Sequence, residues 1–175
     1  MKSAILFSLF FALASCEIHL PSFTLNTLKL KLTQKIVNDG EIVFTNCGNA
    51  DSIVKNLNMV ISPNPPVVGQ DVESVISGNV TEELNDPILF NVSVIFGGNE
   101  MEIYSGQFCK TLEEAAGAPV CPINAGEFNL SSSASYDEPF PVGVQLKFTA
   151  DKPNRNVFCF TIHSAGKQQS LSLLK

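Results

Sequence analysis

The chain has 175 residues, of which 45% are hydrophobic and 16% charged, and its formal net charge is -6 at pH 7. This length suits one domain with a substantial hydrophobic core, and the charged fraction is below the roughly 25% typical of globular proteins. An acidic chain is not attracted to nucleic acid, so we expect no nucleic-acid partner, and anionic bilayers repel it at neutral pH.

Residues 1–16 have the pattern of a secretory signal. Lys2 gives the positive start, residues 4–14 are apolar, and an Ala-Leu-Ala motif ends at Ala14. The apolar stretch is shorter than the roughly 20 residues that a membrane-spanning helix needs. Cleavage after Ala14 leaves Cys16 as an odd thiol, so we favour cleavage after Cys16, which leaves an even number of cysteines. A lipoprotein-type motif with a lipidated Cys16 is the less favoured alternative.

Three N-x-S/T sequons agree with secretion and predict glycosylation at Asn79, Asn91 and Asn129. Residues 17–40 precede the first clear strand, and the sequence allows a propeptide, an additional strand or a flexible arm there. Residues 164–175 follow the last predicted strand and are expected to form a loose tail.

Alternation of apolar and polar residues with a period of two dominates the chain after residue 40, which is typical of half-buried strands. The clearest case is 88–96, where every even position is apolar. The pattern predicts an all-β, immunoglobulin-like β-sandwich of about seven strands in two sheets. A single helical turn is expected over 111–117. The predicted strands are 41–47, 54–61, 71–80, 88–96, 127–136, 143–149 and 157–163.

Four cysteines remain after the favoured cleavage, and they allow three disulfide connectivities. We favour Cys47 with Cys159, joining the first strand to the last, and Cys109 with Cys121, closing a loop of about a dozen residues. In the chain-entropy model the short loop contributes about 3 kcal/mol and the long one somewhat under about 5 kcal/mol.

The motifs around these cysteines resemble, in order, those of the ML lipid-recognition family. Residues 44–48 (F-T-N-C-G) resemble its opening F-x-x-C-G, and residues 62–66 (S-P-N-P-P) its S-P-x-P turn. Cys121-Pro122-Ile123 resembles its C-P-I, and 157–160 (V-F-C-F) its closing strand. The turn has the form found in phosphatidylglycerol/phosphatidylinositol transfer proteins, and within the family the chain resembles these proteins and the Niemann-Pick type C sterol carrier most. That carrier has a third disulfide at the turn, and Asn64 and its neighbours stand there instead.

The resemblance implies that residues 41–163 form a lipid-binding domain with a cavity between its sheets. For any single inward residue, ordinary core packing is the simpler interpretation; for the set, the resemblance and the 13 Phe residues favour a cavity wall. Tyr136 and Phe140 are expected at the cavity entrance, opposite Met101 or Tyr104, either touching a bilayer or anchoring their loop. The wall candidates are Phe90, Val92, Val94, Phe96, Phe128, Leu130, Leu146, Phe148, Phe158 and Phe160.

The expected ligand is phosphatidylglycerol or phosphatidylinositol, with sterol as the main rival. Lys110 and Lys147 are candidate head-group contacts, although solvated surface lysines are the favoured interpretation. The resemblance further implies a monomer in the secreted or endolysosomal space, with transient membrane contact and no cofactor.

An enzyme is not expected. His19 and His163 are the only histidines, and the favoured disulfides leave no thiol nucleophile and no zinc ligand set. Asp137 and Glu138 are adjacent carboxylates, which usually point apart on a loop. The rival from another functional class is a recognition or adhesion sandwich that transfers no lipid, because a filled core explains the alternation equally well.

Overall fold

The structure, a computed structural model, describes residues 40–116, 118–137 and 140–166. The predicted signal segment, the predicted arm up to residue 39 and the predicted tail beyond residue 166 lie outside the described residues. So do His19, Gly117 and Glu138.

Eight strands form two antiparallel sheets within the described residues, which confirms the predicted all-β, immunoglobulin-like sandwich. The larger sheet has the order β1-β8-β7-β4-β5, and the smaller one β2-β3-β6. The strands are β1 (Ile42–Asn46), β2 (Val54–Ser62), β3 (Asp71–Val80), β4 (Leu89–Phe96), β5 (Asn99–Gln107), β6 (Gly126–Ser135), β7 (Val144–Lys152) and β8 (Arg155–Ser164).

The eighth strand is β5, which the sequence pattern did not predict. It lies at the edge of the larger sheet and pairs only with β4, so charged residues such as Glu100 and Glu102 are tolerated on it. The ladder between β4 and β5 also shifts register between Val92 and Ser93. Because a shift of this kind breaks the period of two, alternation could not identify this strand.

In the part of the chain that the structure describes, one helix, α1 (Phe108–Ala116), joins β5 to β6 and is longer than the single turn predicted over 111–117. Phe108 and Leu112 are buried on one side, whereas Lys110 and Glu114 are exposed on the other. The Cys109 backbone N–H donates to the Asp86 carboxylate at 3.2 Å, so a residue from another loop satisfies the start of the helix. Among the described residues, no helix is long and apolar enough to cross a membrane.

Strand register places the aromatic residues of the larger sheet on its inner face. Phe148 lies opposite Val92 on β4 and Phe160 on β8, and residues paired in this way share a face. Cys159 alternates with Phe160 and therefore faces outward, as the sequence pattern predicts.

Both predicted disulfides are present. Cys47–Cys159 joins residues 112 positions apart, and Cys109–Cys121 joins residues 12 positions apart. Hydrogen bonds add to the attachment at the first bridge, because the backbone N–H groups of Cys47 and Gly48 both donate to the Cys159 carbonyl. The middle of β8 is thus fastened to the segment that leaves β1.

Strand direction separates two ends of the sandwich. One end, called here the three-loop end, carries the β2–β3 loop (63–70), the β4–β5 turn (97–98) and the β6–β7 loop (136–143). The opposite end carries α1 and is called the helix end. The two ends differ in chemistry, as described below.

The sandwich is closed along the side where β1 meets β2. Between the sheets, the closest backbone approaches join β2 to β1 and to β8. Asn64, in the β2–β3 loop, accepts a hydrogen bond from the Ile42 N–H at 2.7 Å and donates to the Ile42 carbonyl at 3.0 Å. A side-chain amide therefore ties the turn of one sheet to the edge strand of the other.

At the helix end, Glu82 forms salt bridges with Lys152 and Arg155 at 3.2 and 2.6 Å. The hydrogen bond from Lys152 and the nearby Arg155 charge hold the pKa of the Glu82 carboxyl below its ordinary value. A lowered carboxyl pKa stabilises the fold at neutral pH, and this contribution is lost as the pH falls through the ordinary glutamate range and below. Its size is small because the groups are exposed.

Candidate functional site

A connected cluster of aromatic rings covers the inner face of the larger sheet. Phe148 and Phe160 stack with ring centroids 4.7 Å apart and an interplanar angle of 16°, and Phe158 lies 5.9 Å from Phe160. Phe90 has four ring neighbours at 6.0 to 6.5 Å. This wall is apolar and polarisable, so it suits hydrocarbon. Its rings are Phe44, Phe90, Tyr104, Phe108, Phe148, Phe158 and Phe160.

The smaller sheet supplies the opposing wall. Val72 and Ile76 of β3 are buried on its inner face, and register places Leu130 of β6 beside Ile76. One pair interrupts this apolar surface: Ser74 and Ser132 lie opposite each other in the register and are both buried. Their hydroxyl oxygens are 2.9 Å apart.

The side between β5 and β6 is more open than the side between β1 and β2. Met59, an inward residue of β2, is 8% exposed. The inward residues Phe128 and Leu130 of β6 are only partly buried, and Met101 of β5 is 53% exposed. Solvent therefore reaches the interior along this side, which we call the β5–β6 seam.

Four exposed apolar side chains are found at the three-loop end. Val67 and Val68 are 46% and 52% exposed in the β2–β3 loop, while Phe96 and Met101 are 62% and 53% exposed beside the β4–β5 turn. We call these four residues the apolar rim. Single exposed apolar residues are ordinary, but a group at one end of a domain indicates a contact surface.

Tyr136 and Phe140 anchor the β6–β7 loop and are not exposed, being 1% and 7% accessible. The Tyr136 hydroxyl accepts a hydrogen bond from the Phe140 N–H at 2.5 Å. The backbone of Tyr136 also pairs with Gly69 and Gln70 of the β2–β3 loop. Their burial favours the interpretation of Tyr136 and Phe140 as loop anchors over that of bilayer contact, and the exposed apolar side chains of that end are those of the apolar rim.

The three-loop end is acidic. Asp71, Glu100, Glu102 and Asp137 lie at the adjacent strand ends. The Lys147 ammonium donates to the Glu100 carboxylate at 3.0 Å, and this hydrogen bond is the main reason that the Glu100 pKa lies below its ordinary value. These carboxylates disfavour approach to an anionic bilayer at neutral pH.

Neither candidate head-group lysine faces the interior. Lys147 lies on the outer face of the larger sheet with Glu100, and Lys110 is exposed on α1 beside Glu114. The favoured interpretation of both as surface lysines agrees with these positions. Hence no lysine contact to a lipid head group is assigned.

The structure brings most wall candidates together and separates one of them. Phe96 lies on the inner side of β4 but is exposed, so it belongs to the apolar rim and not to the wall. Sequence reasoning missed Phe44 and Phe108 of the ring cluster, although Phe44 begins the recognised F-x-x-C-G motif and Phe108 directly precedes Cys109. The candidates that belong to the core cluster are Phe90, Val92, Val94, Phe128, Leu146, Phe148, Phe158 and Phe160. Leu130 is placed on the inner face by its register with Ile76.

The sequons lie on outer faces. Asn79 and Asn129 are exposed on the smaller sheet, at neighbouring register positions of β3 and β6. Asn91 is on the outer face of β4, where its side-chain amide oxygen accepts a hydrogen bond from the Ser105 hydroxyl at 2.7 Å. Glycans at these three positions remain predictions.

The described part of the chain contains no group of three His, Cys, Asp or Glu side chains arranged to hold a metal ion. His163 lies in β8, on the outer face beside Gln145 and Val43, and is thus remote from the aromatic wall. The Asp137 carboxylate accepts a hydrogen bond from the Ser135 hydroxyl at 2.6 Å, so it has a structural role at the end of β6.

Comparison with protein families matches residues 41–165 to the family described as the ML domain. This match confirms the resemblance predicted from the cysteine and proline motifs. A phosphatidylglycerol/phosphatidylinositol transfer protein of Mycosarcoma maydis is 29% identical over 100 residues, covering 57% of this chain and 52% of that protein. The match thus spans about half of that relative.

Two further relatives carry similar names. A Dictyostelium discoideum protein, whose name assigns phosphatidylglycerol/phosphatidylinositol transfer provisionally, is 30% identical over 123 residues, covering 67% of this chain and 79% of that protein. A Pyricularia oryzae protein named for the same transfer is 25% identical over 141 residues, covering 79% and 78%.

Solved structures similar to this chain include a Niemann-Pick type C2 protein from the Japanese carpenter ant and chicken MD-1 complexed with lipid IVa. The first has a TM-score of 0.48 and 11% identity, covering 70% of this chain and 98% of that one. The second has a TM-score of 0.46 and 14% identity, covering 71% and 90%.

Proposed function

Because the chain belongs to the ML-domain family, we propose that it is a secreted lipid transfer protein that binds phosphatidylglycerol and phosphatidylinositol and moves them between membranes. The observation that carries the proposal is the aromatic wall between the sheets, which opens to solvent along the β5–β6 seam. Transfer requires an apolar site and an opening, and needs no catalytic group.

Burial of acyl chains supplies the binding free energy. Each buried methylene contributes roughly 0.8 kcal/mol, so an acyl chain that buries most of its methylenes against the ring cluster binds stably. The wall candidates between the sheets are the residues proposed to contact these chains. The head group stays in water at the three-loop end, since burying its charge is costly.

The choice of phosphatidylglycerol and phosphatidylinositol rests on the names of the sequence relatives. The charge at the three-loop end does not support this choice of anionic lipids, because the described residues of the three loops include no lysine or arginine to attract an anionic head group. Sterol is therefore kept as the rival ligand in the test.

The test is transfer between vesicles by the purified, secreted protein. Donor vesicles offer phosphatidylglycerol, phosphatidylinositol, phosphatidylcholine or sterol in separate assays, and acceptor vesicles are matched in composition. Faster movement of the two anionic phospholipids is the expected result. Preference for sterol would assign the rival ligand, and no acceleration of any lipid would leave a recognition sandwich that transfers nothing.

The apolar rim is proposed to make the transient membrane contact, and Phe96→Ala tests it. Since a fully buried Phe side chain contributes about 1.5 to 3 kcal/mol, we expect binding to zwitterionic vesicles to weaken at least about tenfold and transfer to slow correspondingly. Vesicle co-sedimentation measures the first effect. The folded stability should not change, because Phe96 is 62% exposed.

Leu89→Ala is the matched control for the rim. Leu89 is 46% exposed on the same strand but lies at the helix end. Its replacement is expected to leave vesicle binding unchanged. Equal losses of vesicle binding in the Phe96→Ala and Leu89→Ala variants would contradict the assignment of membrane contact to the three-loop end.

A further inference from the structure

Ser74 and Ser132 form a polar spot on the inner wall of the smaller sheet. They are 2% and 6% exposed, and their neighbours toward the helix end on the same face are Ile76 and Leu130. Among the buried inward-facing residues of the described strands, the other polar one is Ser164, whose hydroxyl accepts from the Gly166 N–H at 3.2 Å. The pair therefore stands out in a wall that is otherwise apolar.

The hydrogen bonds of this pair are incomplete. Each hydroxyl has one proton to donate and lone pairs to accept. The single contact between the oxygens, 2.9 Å long, uses one of the two protons, and no other hydrogen bond of either hydroxyl occurs among the described residues. One donor is thus left facing an apolar interior, where an unpaired polar group is costly.

The pair also lies at a particular depth. Ser74 is three residues inside the start of β3, and a strand rises about 3.4 Å per residue, so the pair is about 10 Å below the three-loop end. Ser74 is therefore nearer the three-loop end than the helix end, and a glycerophospholipid whose head group lies at the three-loop end would place its ester carbonyls in that same half of the interior and its acyl chains beyond them.

We propose that the Ser74–Ser132 pair binds an ester carbonyl of the lipid, so that this protein selects acyl-linked over ether-linked glycerolipids. The inference rests on the proposed function and adds a specificity-determining contact to it. The free hydroxyl proton donates to the carbonyl oxygen, which both satisfies the donor and positions the glycerol backbone. An ether-linked chain has no carbonyl there and leaves the donor unpaired.

The test is a loading competition. The full, secreted protein is incubated with vesicles that contain equal amounts of diacyl and dialkyl phosphatidylglycerol of the same chain length, and bound lipid is quantified by mass spectrometry. The wild-type chain is expected to load more diacyl lipid. In the double variant Ser74→Ala/Ser132→Ala the diacyl-to-dialkyl ratio should fall by about three- to tenfold, as expected for one neutral hydrogen bond.

Ser133→Ala is the matched control, because Ser133 neighbours Ser132 on the outer face of β6. It should keep the wild-type ratio. The double variant is expected to fold, since replacing both partners of a buried hydrogen bond with apolar groups is nearly neutral. An unchanged ratio in the double variant, with both lipids still loaded, overturns this inference and leaves the proposed function intact. Loading of neither lipid by the wild-type chain overturns both.

Discussion

Replacing Cys47 and Cys159 with alanine is expected to lower the free energy of unfolding by nearly 5 kcal/mol. The bridge closes 112 residues of chain, and the entropy that a disulfide removes from the unfolded state grows with the logarithm of that length. Since small domains are typically stable by 5–15 kcal/mol, this loss brings the domain close to unfolding at room temperature. Urea unfolding of the purified chain without reductant measures it.

The comparison is Cys109→Ala/Cys121→Ala, which opens a loop of 12 residues and is expected to cost about 3 kcal/mol. This bridge holds α1 and its following loop, so its loss leaves the sandwich ladders in place. The order of the two costs is the decisive result. If the short bridge proves at least as stabilising as the long one, closure of the domain by Cys47–Cys159 is not its main support.

Phe160→Ala is expected to destabilise the lipid-free protein by about 3–5 kcal/mol. Phe160 is 4% exposed and contacts the rings of Phe44, Phe148 and Phe158 at 5.4, 4.7 and 5.9 Å. Removing its ring loses both the burial of apolar surface and these aromatic contacts, and the rigid ladders beside it cannot collapse into the gap. Thermal and chemical unfolding of the delipidated protein report the change.

The same substitution at Phe96 is the internal control, since that ring is 62% exposed on the apolar rim. Its cost should stay within about 0.5 kcal/mol, as for most surface positions. Similar losses at the two positions would contradict the assignment of Phe160 to the wall and Phe96 to the rim.

Much of the fold was predictable because period-two alternation reports burial on one face of a strand. The segment 71–80 coincides with β3, and 88–96 differs from β4 by one residue. Alternation failed at β5, where an edge position tolerates charge and a register shift interrupts the pattern. It also failed to give the length of α1, because Asp86, which caps the helix, comes from a different loop.

The site was predicted less completely, and the reason is geometric. Periodicity assigns a residue to a face but gives no information about where along the strand the sheet ends. Phe96 has the same parity as Phe90 and Val92, yet it lies beyond the covered part of the interior. Family resemblance placed Tyr136 at an entrance, but its burial and its hydrogen bond with the Phe140 N–H depend on the conformation of the β6–β7 loop, which periodicity does not give. The role of Ser74 needed the register with β6, which sequence alone does not provide.

The fastening of Ile42 by Asn64 has a mechanical consequence. β1 is held against the β2–β3 turn on one side of the sandwich, whereas β5 and β6 are apart on the other side. The β1–β2 side therefore acts as a hinge, and the interior widens for a bulkier ligand when the two sheets rotate about it. Displacement grows with distance from the hinge, so β5 and β6 move most while β1 and β2 keep their positions.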